Sequence, residues 1–426
     1  MRNNVYFCAL KPRNIMFEYH TMCLDSGLRI VHQHNASHVG YCGFVVDCGT
    51  RTESSPQDYG IAHFIEHIIF KGTRTRDAWH INQRMESVGG ELNAYTTKED
   101  TTFYSTFLAH DFDRACELLC DLMCNATAPQ HELEKEQEVV IEEIDSYRDT
   151  PSELIYDEFE NRLFAGQPLG HNTLGSAETV HGFDSRRCLD FIARNYRPDR
   201  MVFFSYGPME WNKVCNAVKK HYRCAAQSSE EREPSAAANA VVFPSQPQVV
   251  NMGLHQSHCI VGARAYPIGH PRRTALALLN NMLGGPGMNS RLNQQLREKR
   301  GLVYTVESTV VPFTDDGYFS VYFGCDHADR DRCVRLCKNE LRKFIDRKLT
   351  PRQLAAAQKQ LKGQLALSTA NLENNALMLG KNIMRRGCLE GLDETCARID
   401  AVTPEQIQQV ASELFAEGHL LTVVLE

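Results

Sequence analysis

Long apolar runs are missing from this sequence of 426 residues. No stretch approaches the roughly 20 consecutive apolar residues that a membrane-spanning helix needs, so no membrane association is expected. Excess positive charge is missing too, because 46 lysines and arginines face 53 aspartates and glutamates, for a net charge of −7. Phosphate recognition needs a basic surface, so nucleic acid is not an expected partner. Residues 1–19 have no uninterrupted apolar core of the signal-peptide type, and we therefore expect a cytoplasmic protein.

Cysteine is not scarce, but its usual role in small proteins is not expected here. The chain holds 16 cysteines and is far longer than the secreted scaffolds that depend on disulfides. Disulfides are therefore not expected, and a reducing compartment is predicted. Cys116, Cys120 and Cys124 recur every four residues. This spacing suits either a metal cluster or a helix face that packs three small apolar side chains, and the second interpretation is favoured.

Length and composition predict more than one domain. The chain is too long for one ordinary hydrophobic core, and its 42% hydrophobic and 23% charged residues are typical of a soluble globular protein. The clearest boundary is the stretch 224–240, which is small, polar, proline-containing and without periodicity. We therefore predict a first domain over residues 1–223, a linker over 224–240 and a second domain over 241–426.

The two halves look like an internal duplication. Each is predicted to begin with strands (28–31 and 39–47, then 248–265) and to continue into an apolar helix. Aligning Glu66 with Asn280 places Ala277 opposite His63 and Asn281 opposite His67. If this alignment holds, the second copy carries none of the polar side chains that distinguish the first. Further helices are predicted over 153–163 and 351–384.

The most informative stretch is His63-Phe64-Ile65-Glu66-His67. Residues three and four apart share a helix face, so His63 and His67 can direct their imidazoles at one metal ion while Glu66 reaches its bound water. Two histidines four apart suit Zn²⁺, which keeps one open position when it is catalytic. The order His-x-x-Glu-His is the reverse of the common zinc-protease turn. The alternative is a chance pair of histidines on a polar face, but the apolar neighbours of the motif indicate a buried helix whose polar groups need a partner.

An acidic helix is predicted over residues 130–148. Glu136 and Glu143 are two turns apart and lie on nearly the same face, so either could add a carboxylate to the metal turn. The other carboxylates of this helix are best explained as a solvated face. A second metal site at His32 and His34, which alternate along a predicted strand, is disfavoured because no acidic partner lies near in sequence.

Three segments together resemble the pitrilysin/insulinase family of zinc peptidases. They are Gly60–Thr73, Glu136–Ile144 and Arg297–Tyr304. The resemblance covers nearly the whole chain and is closest to the short branch that contains bacterial processing-peptidase-like proteins and the mitochondrial processing peptidase beta subunit. It implies an α+β fold with two homologous domains, each a mixed, mainly antiparallel sheet flanked by helices. The domains would be joined by a linker and form half of a clamshell chamber.

The resemblance also implies a metal site with assigned roles. In the family the third ligand is the second glutamate of a Glu-x6-Glu pair, about 76 residues past the second histidine, and Glu143 lies at that position. One Zn²⁺ per chain is therefore expected on His63, His67 and Glu143. Glu66 would be the general base, and Glu136 would support the site from behind a ligand.

Substrate contacts are implied in both halves. Gly89–Thr96 reads as a strand after a double-glycine turn, either an open edge that pairs with an extended peptide or an ordinary internal strand. The family uses the matching Asn-Ala pair for substrate, so Asn93 and Ala94 are expected contacts. Arg297 and Tyr304 match the family's Arg-x6-Tyr pair, which holds substrate and stabilises an oxyanion.

The expected function is therefore a zinc-dependent endopeptidase for unfolded peptides or presequence-like segments. The alternative is a non-catalytic structural or peptide-holding subunit of the same family. A metal-storage protein would need neither Glu66 nor the Arg297/Tyr304 pair. Double-length relatives build each site from their first and last quarters. We therefore expect a homodimer, with peptide substrates, whose active sites are shared between chains.

Overall fold

The computed structural model describes residues 18–224 and 242–426, which divide into two compact units. The first unit contains residues 18–146, 167–224 and 371–389, and the second contains 147–166, 242–370 and 390–426. Each unit has one β-sheet packed against helices, which confirms the predicted α+β class with two domains. The predicted linker 224–240 lies outside the described residues except for Cys224, so that boundary stays a prediction.

Eleven strands occur in the described residues. In chain order they are β1 (His20–Cys23), β2 (Arg29–His34), β3 (Val39–Val46), β4 (Glu91–Thr96), β5 (Thr101–Leu108), β6 (Met201–Gly207), β7 (Gln248–Val250), β8 (Ser257–Arg264), β9 (Val303–Pro312), β10 (Gly317–Cys325) and β11 (Leu421–Leu425).

Helices connect and cover these strands, and none in the described part of the chain is both long and apolar enough to cross a membrane. They are α1 (Ile61–Ile68), α2 (Ala78–Glu86), α3 (Phe112–Asn125), α4 (Gln130–Arg148), α5 (Pro151–Leu163), α6 (Ala177–His181), α7 (Ser185–Asn195), α8 (Trp211–His221), α9 (Arg273–Gly284), α10 (Arg330–Asp346), α11 (Pro351–Ser368), α12 (Leu372–Arg386), α13 (Leu392–Asp400) and α14 (Pro404–Leu414).

The two sheets share one connectivity. The first has the order β1-β2-β6-β3-β5-β4, and the second has the order β7-β11-β8-β10-β9. In both, one pair of strands is parallel (β2 with β6, β7 with β11) and the next three pairs are antiparallel. Omitting β1, each sheet is built by the same succession of two strands, a helix, a hairpin and a returning strand. The topology therefore agrees with an internal duplication, with α1 and β4 corresponding to α9 and β9.

Each sheet is covered on one face by a helix from the opposite half of the sequence. In the first unit α12 packs against β2, β3 and β6, and in the second unit α5 packs against β8 and β11. The fits are complementary. A Cβ on Gly380 of α12 would lie 2.7 Å from the Phe204 ring, whereas in the second unit a Cβ on Gly262 of the sheet would lie 2.5 Å from the ring of Phe159 in α5. A large side chain thus meets a glycine in both units, with the roles of helix and sheet exchanged.

One local prediction needed correction. The helix predicted over 351–384 is two helices, because the chain leaves α11 after Ser368 and Asn371 caps α12 by accepting from the Asn374 backbone N–H at 2.9 Å. The strands expected over 248–265 are β7 and β8.

Of the three cysteines spaced four residues apart, two pack as small apolar side chains and the third does not. Cys116 and Cys120 are fully buried thiols of α3, in the hydrophobic core of the first unit. Cys124, at the end of the same helix, forms a disulfide with Cys224, so the expectation that disulfides are absent is wrong at this pair. The cytoplasmic location stays a prediction.

Candidate metal centre

Helix α1 starts at a position that only glycine can occupy comfortably. Gly60 has φ of +94°, and a Cβ there would lie 2.6 Å from the carbonyl oxygen of Leu174. The first turn is capped by a residue outside the helix: the buried carboxylate of Glu53 accepts from the backbone N–H of Gly60 at 2.9 Å and of Ala62 at 3.0 Å. These are two of the amides that have no partner inside the helix.

Glu53 is itself held by a buried histidine. His171 donates from Nε2 to the Glu53 carboxylate at 2.8 Å, and its ring stacks on Tyr59 with centroids 3.8 Å apart. Glu53 and His171 are only 4% and 5% exposed. Burial raises the pKa of Glu53, while the hydrogen bonds from His171, Ala62 and Gly60 act against that rise. The start of α1 is therefore fixed by a polar cluster closed off from water.

Three potential metal-ligating atoms converge beside one face of this helix. His63 Nε2 lies 3.7 Å and His67 Nε2 lies 3.4 Å from one carboxylate oxygen of Glu143 on α4. All three atoms lie within 4.8 Å of one another, and no other group of this kind occurs among the described residues. Two imidazoles and one carboxylate are a donor set that zinc takes in catalytic sites, where a fourth position stays open. The three residues fit one metal ion.

The three groups lie close enough to change one another's pKa. Burial disfavours a charged imidazole, but hydrogen bonds to Glu136 and Glu143 outweigh it and raise the pKa of His67 to about 9. Burial and the neighbouring charge of His67 lower the pKa of His63. The hydrogen bond from His67 lowers the pKa of Glu143. A proton on His67 thus takes the place of a cation, and metal binding would have to release it.

Glu136 orients His67 and is neutralised by a lysine. The His67 Nδ1–H donates to Glu136 at 2.9 Å, and Lys71 Nζ lies 2.6 Å from the other oxygen of the same carboxylate. Glu136 is 5% exposed. A carboxylate behind a ligating histidine fixes the ring and its tautomer, which is the supporting position expected for Glu136. His63 differs, because its Nδ1 is buried and has no hydrogen-bond partner within the described residues.

Glu66 lies on the same turn and is held by the neighbouring sheet. Thr96 Oγ1 donates to Glu66 Oε2 at 2.6 Å. Burial raises the pKa of Glu66, although the bond from Thr96 acts in the opposite direction. A carboxylate beside the two histidines, with a pKa above its ordinary value, suits proton transfer.

Asn93 and Ala94 lie on β4, which among the described residues pairs only with β5 and forms one edge of its sheet. Within that part of the chain the segment is an edge strand rather than an internal one. Both residues are partly exposed. The unpaired backbone of an edge strand can accept an extended peptide. Their role as substrate contacts stays a prediction.

Arg297 and Tyr304 belong to the second unit. Arg297 lies in a π-helical segment, Asn293–Glu298, with its guanidinium carbon 5.8 Å from the centroid of the Tyr304 ring. Tyr304, on the edge strand β9, is 86% exposed. Both line a cavity of about 520 Å³ whose wall includes Ala277, Asn280 and Asn281 of α9. The structure brings the Arg/Tyr pair together, and their function stays a prediction.

A buried histidine of the first sheet takes part in packing. His32 is buried, makes hydrogen bonds through Nδ1 to Ser205, and stacks on Trp211. It belongs to the packing of β2.

Four residues of the centre were missed by sequence reasoning. Lys71 follows His67 by four residues, so the helical spacing could have indicated it. Thr96 ends a strand that was singled out for other residues. Glu53 and His171 are 118 residues apart, and no local pattern joins them.

Comparison with known proteins places the chain among peptidases. The sequence model described as Insulinase (Peptidase family M16) matches residues 29–177, and that described as Peptidase M16 inactive domain matches residues 183–361. An uncharacterized zinc protease of Streptomyces coelicolor is 32% identical, and the match covers 94% of this chain and 88% of that protein. One of Bacillus subtilis is 30% identical, with 94% of this chain and 96% of that protein covered.

Solved structures resemble the whole fold. A crystal structure of a protease from Helicobacter pylori matches 97% of this chain and 100% of its own, with a TM-score of 0.87 and 22% identity. A crystal structure of a peptidase M16 inactive domain from Pseudomonas fluorescens matches 96% and 97%, with a TM-score of 0.84 and 18% identity. At these identities the likeness concerns the fold alone.

Proposed function

Because this chain belongs to the insulinase family of peptidases (M16), we propose that it is a zinc-dependent endopeptidase that hydrolyses unfolded peptides or presequence-like segments. The observation that carries the proposal is the convergence of His63, His67 and Glu143 on one point, with Glu66 on the same helical turn as both histidines. Relatives at 30% and 32% identity are named zinc proteases, which supports zinc as the metal.

The chemistry follows from the positions of these side chains. His63, His67 and Glu143 would hold one Zn²⁺ per chain. When bound, the metal would polarise the scissile carbonyl and lower the pKa of the attacking water. Glu66 accepts the proton of that water and returns it to the leaving amine, so one carboxylate acts first as base and then as acid. Glu136 and Lys71 keep the His67 ring in place during the cycle.

Substrate would bind as an added strand. An extended peptide pairs its backbone with β4, where Asn93 and Ala94 lie, and this requires little of the peptide's sequence. A folded protein has its backbone already paired and should be a poor substrate. The edge position of β4 supports this part of the proposal.

The test separates the base from the ligands. Glu66→Gln should keep one zinc per chain while peptidase activity falls roughly 100- to 10,000-fold, because the ligands remain and the base is gone. Zinc is measured by mass spectrometry and activity on a peptide library, with Glu134→Gln on the exposed face of α4 as the matched control. A Glu66→Gln protein that cleaves peptides at the wild-type rate would falsify the proposal.

We further propose a homodimer with active sites shared between chains. The metal turn belongs to the first unit, and Arg297 and Tyr304 belong to the second. Double-length relatives join such elements from their first and last quarters, and a chain of half that length needs a second copy to supply the last quarter. Arg297 and Tyr304 of one copy would then hold the substrate carbonyl at the metal of the other.

Mixing two inactive proteins tests the shared site. Glu66→Gln and Arg297→Ala homodimers should each be inactive, and exchange of their subunits should restore activity because each heterodimer has one site with all its parts intact. Exchange is monitored by native mass spectrometry. No recovery despite complete exchange would reject the shared site and leave the peptidase proposal standing.

The alternative, a non-catalytic peptide-holding subunit, makes a different prediction. It would bind peptides without cleaving them, with or without zinc. The retained donor set and the held carboxylate of Glu66 support the catalytic proposal over this one.

A further inference from the structure

The hydroxyl of Thr96 has two neighbouring oxygens that could accept its proton. Thr96 Oγ1 lies 2.6 Å from Glu66 Oε2 and 3.3 Å from Thr101 Oγ1. Thr101 is fully buried and donates its own proton to the carbonyl of Cys48 at 2.8 Å, so towards Thr96 it can act only as an acceptor. A threonine hydroxyl carries a single proton. The shorter distance and the charge of the acceptor therefore assign the proton of Thr96 to the Glu66 carboxylate.

This bond distinguishes the two oxygens of Glu66. Oε2 is held by Thr96, and in the described part of the chain Glu66 makes no second hydrogen bond. Oε1 is thus the oxygen left to accept a proton from water. The terminal torsion of a glutamate is broad and roughly two-fold, so without such a bond the two oxygens exchange places and the carboxylate plane turns.

Thr96 is also part of the strand that the proposed function assigns to the peptide. It is the last residue of β4 and pairs with Thr101 of β5, while Ala94 and Asn93 lie two and three residues before it, respectively. The backbone that would bind the substrate and the hydroxyl that holds the base therefore belong to one strand.

We propose that Thr96 is a positioning residue that fixes Oε1 of Glu66 as the proton-accepting oxygen and ties the orientation of the base to the peptide-binding strand. This inference rests on the proposed peptidase function. It concerns the rate of the chemical step, because Thr96 is neither a ligand of the proposed metal nor one of the predicted substrate contacts.

The positioning role of Thr96 is tested by replacing its hydroxyl with a methyl group, which keeps the shape of the side chain. Thr96→Val should lower kcat roughly 10- to 100-fold, the scale of a charge-assisted hydrogen bond, while zinc content and KM stay within about twofold of wild type. Thr96→Ser keeps the donor and should restore kcat to within about threefold. Thr106→Val, a half-buried threonine on β5 opposite the other end of β4, is the matched control and should change little.

A second background separates positioning from strand structure. Glu66→Asp withdraws the carboxylate by one methylene, beyond the reach of Thr96. In that background Thr96→Val should change kcat less than about threefold, since the bond is already lost. If Thr96→Val does not fold, the pair Thr96→Ser and Thr96→Ala carries the same comparison.

Two results would overturn the inference. One is a Thr96→Val enzyme with kcat within threefold of wild type, and the other is a change confined to KM. Either would leave the proposed function intact, because that function stands on the activity of Glu66→Gln, in which the base itself is removed.

Discussion

The two units place the same helix and edge strand in the same connection and equip them differently. In the first unit α1 presents His63, Glu66 and His67 beside β4, whereas in the second unit the corresponding α9 presents Ala277, Asn280 and Asn281 beside β9. The first set can hold a metal ion, whereas the second set contains no histidine or carboxylate and lines a cavity. The two copies of one scaffold therefore differ in whether the helix offers metal ligands.

The supporting residues differ as well. The amides at the start of α1 are capped by the buried Glu53, while the residue before α9, Arg272, makes no side-chain cap. Glu136 of α4 and Lys71 lie behind His67. The helix that corresponds to α4 in the second unit is α11, because it follows α10 as α4 follows α3. It contributes an apolar residue, Leu361, to the wall of the cavity at α9. A metal helix has to be held at both ends because its ligands must meet a fixed point, and a cavity wall does not.

Exchanging one residue between the copies should have the largest effect. His67→Asn puts the α9 side chain into α1, and zinc affinity should fall more than about 100-fold, since losing a ligand costs more than losing its supporting partner. Peptidase activity should disappear with the metal. The reverse exchange, Asn281→His, adds one imidazole beside Ala277 and should leave the zinc content at one per chain. A second bound zinc in Asn281→His would show that α9 has further ligands near it.

Acid should destabilise the first sheet through His32 of β2, since the corresponding strand of the second sheet, β7, has no histidine. Burial lowers the pKa of His32 on β2 to about 4, whereas β7 contains only Gln248, Val249 and Val250. The unfolded chain takes up a proton near pH 6.5 and the folded chain does not, so stability is lost as pH falls from about 6.5 towards 4. The loss should approach roughly 3 kcal/mol. Urea unfolding of wild type and His32→Gln across this range measures it, and parallel pH profiles would contradict the assignment.

Two helix glycines should respond to alanine with opposite signs. Gly380→Ala in α12 would bring a Cβ to 2.7 Å from Phe204 and 2.8 Å from Val45, and should destabilise the protein by roughly 1 to 2 kcal/mol. Gly363 in α11 of the second unit has nothing within 4 Å of its Cβ position, and alanine there should stabilise by about 0.5 to 1 kcal/mol. Thermal unfolding compares the two variants. Equal effects would mean that close packing of α12 does not limit residue size.

Local patterns predicted the elements that carry the chemistry. Helix α4 has the bounds expected from its periodicity, and the spacing of His63 and His67 required only a helix to bring their rings together. The third ligand needed the resemblance, because Glu143 is one of several carboxylates on α4 and helical spacing alone does not choose between them.

Contacts between distant segments could not be predicted in this way. The Glu53–His171 pair, the Cys124–Cys224 disulfide and the coverage of each sheet by a helix from the other half all join residues that share no local pattern. Such contacts depend on the complete fold, and a single sequence contains no periodicity that reports them.

Because each sheet is covered by a helix from the other half of the sequence, the first sheet cannot be completed until late in synthesis. The apolar face formed by Val31, Val45 and Phe204 is completed by Ala376, Leu379 and Ile383 of α12. When the ribosome has made the strands of the first sheet, the helix that covers them is still more than a hundred residues away. The nascent first half therefore presents an apolar surface that chaperones would recognise, and it cannot reach its final form before most of the second half has been made.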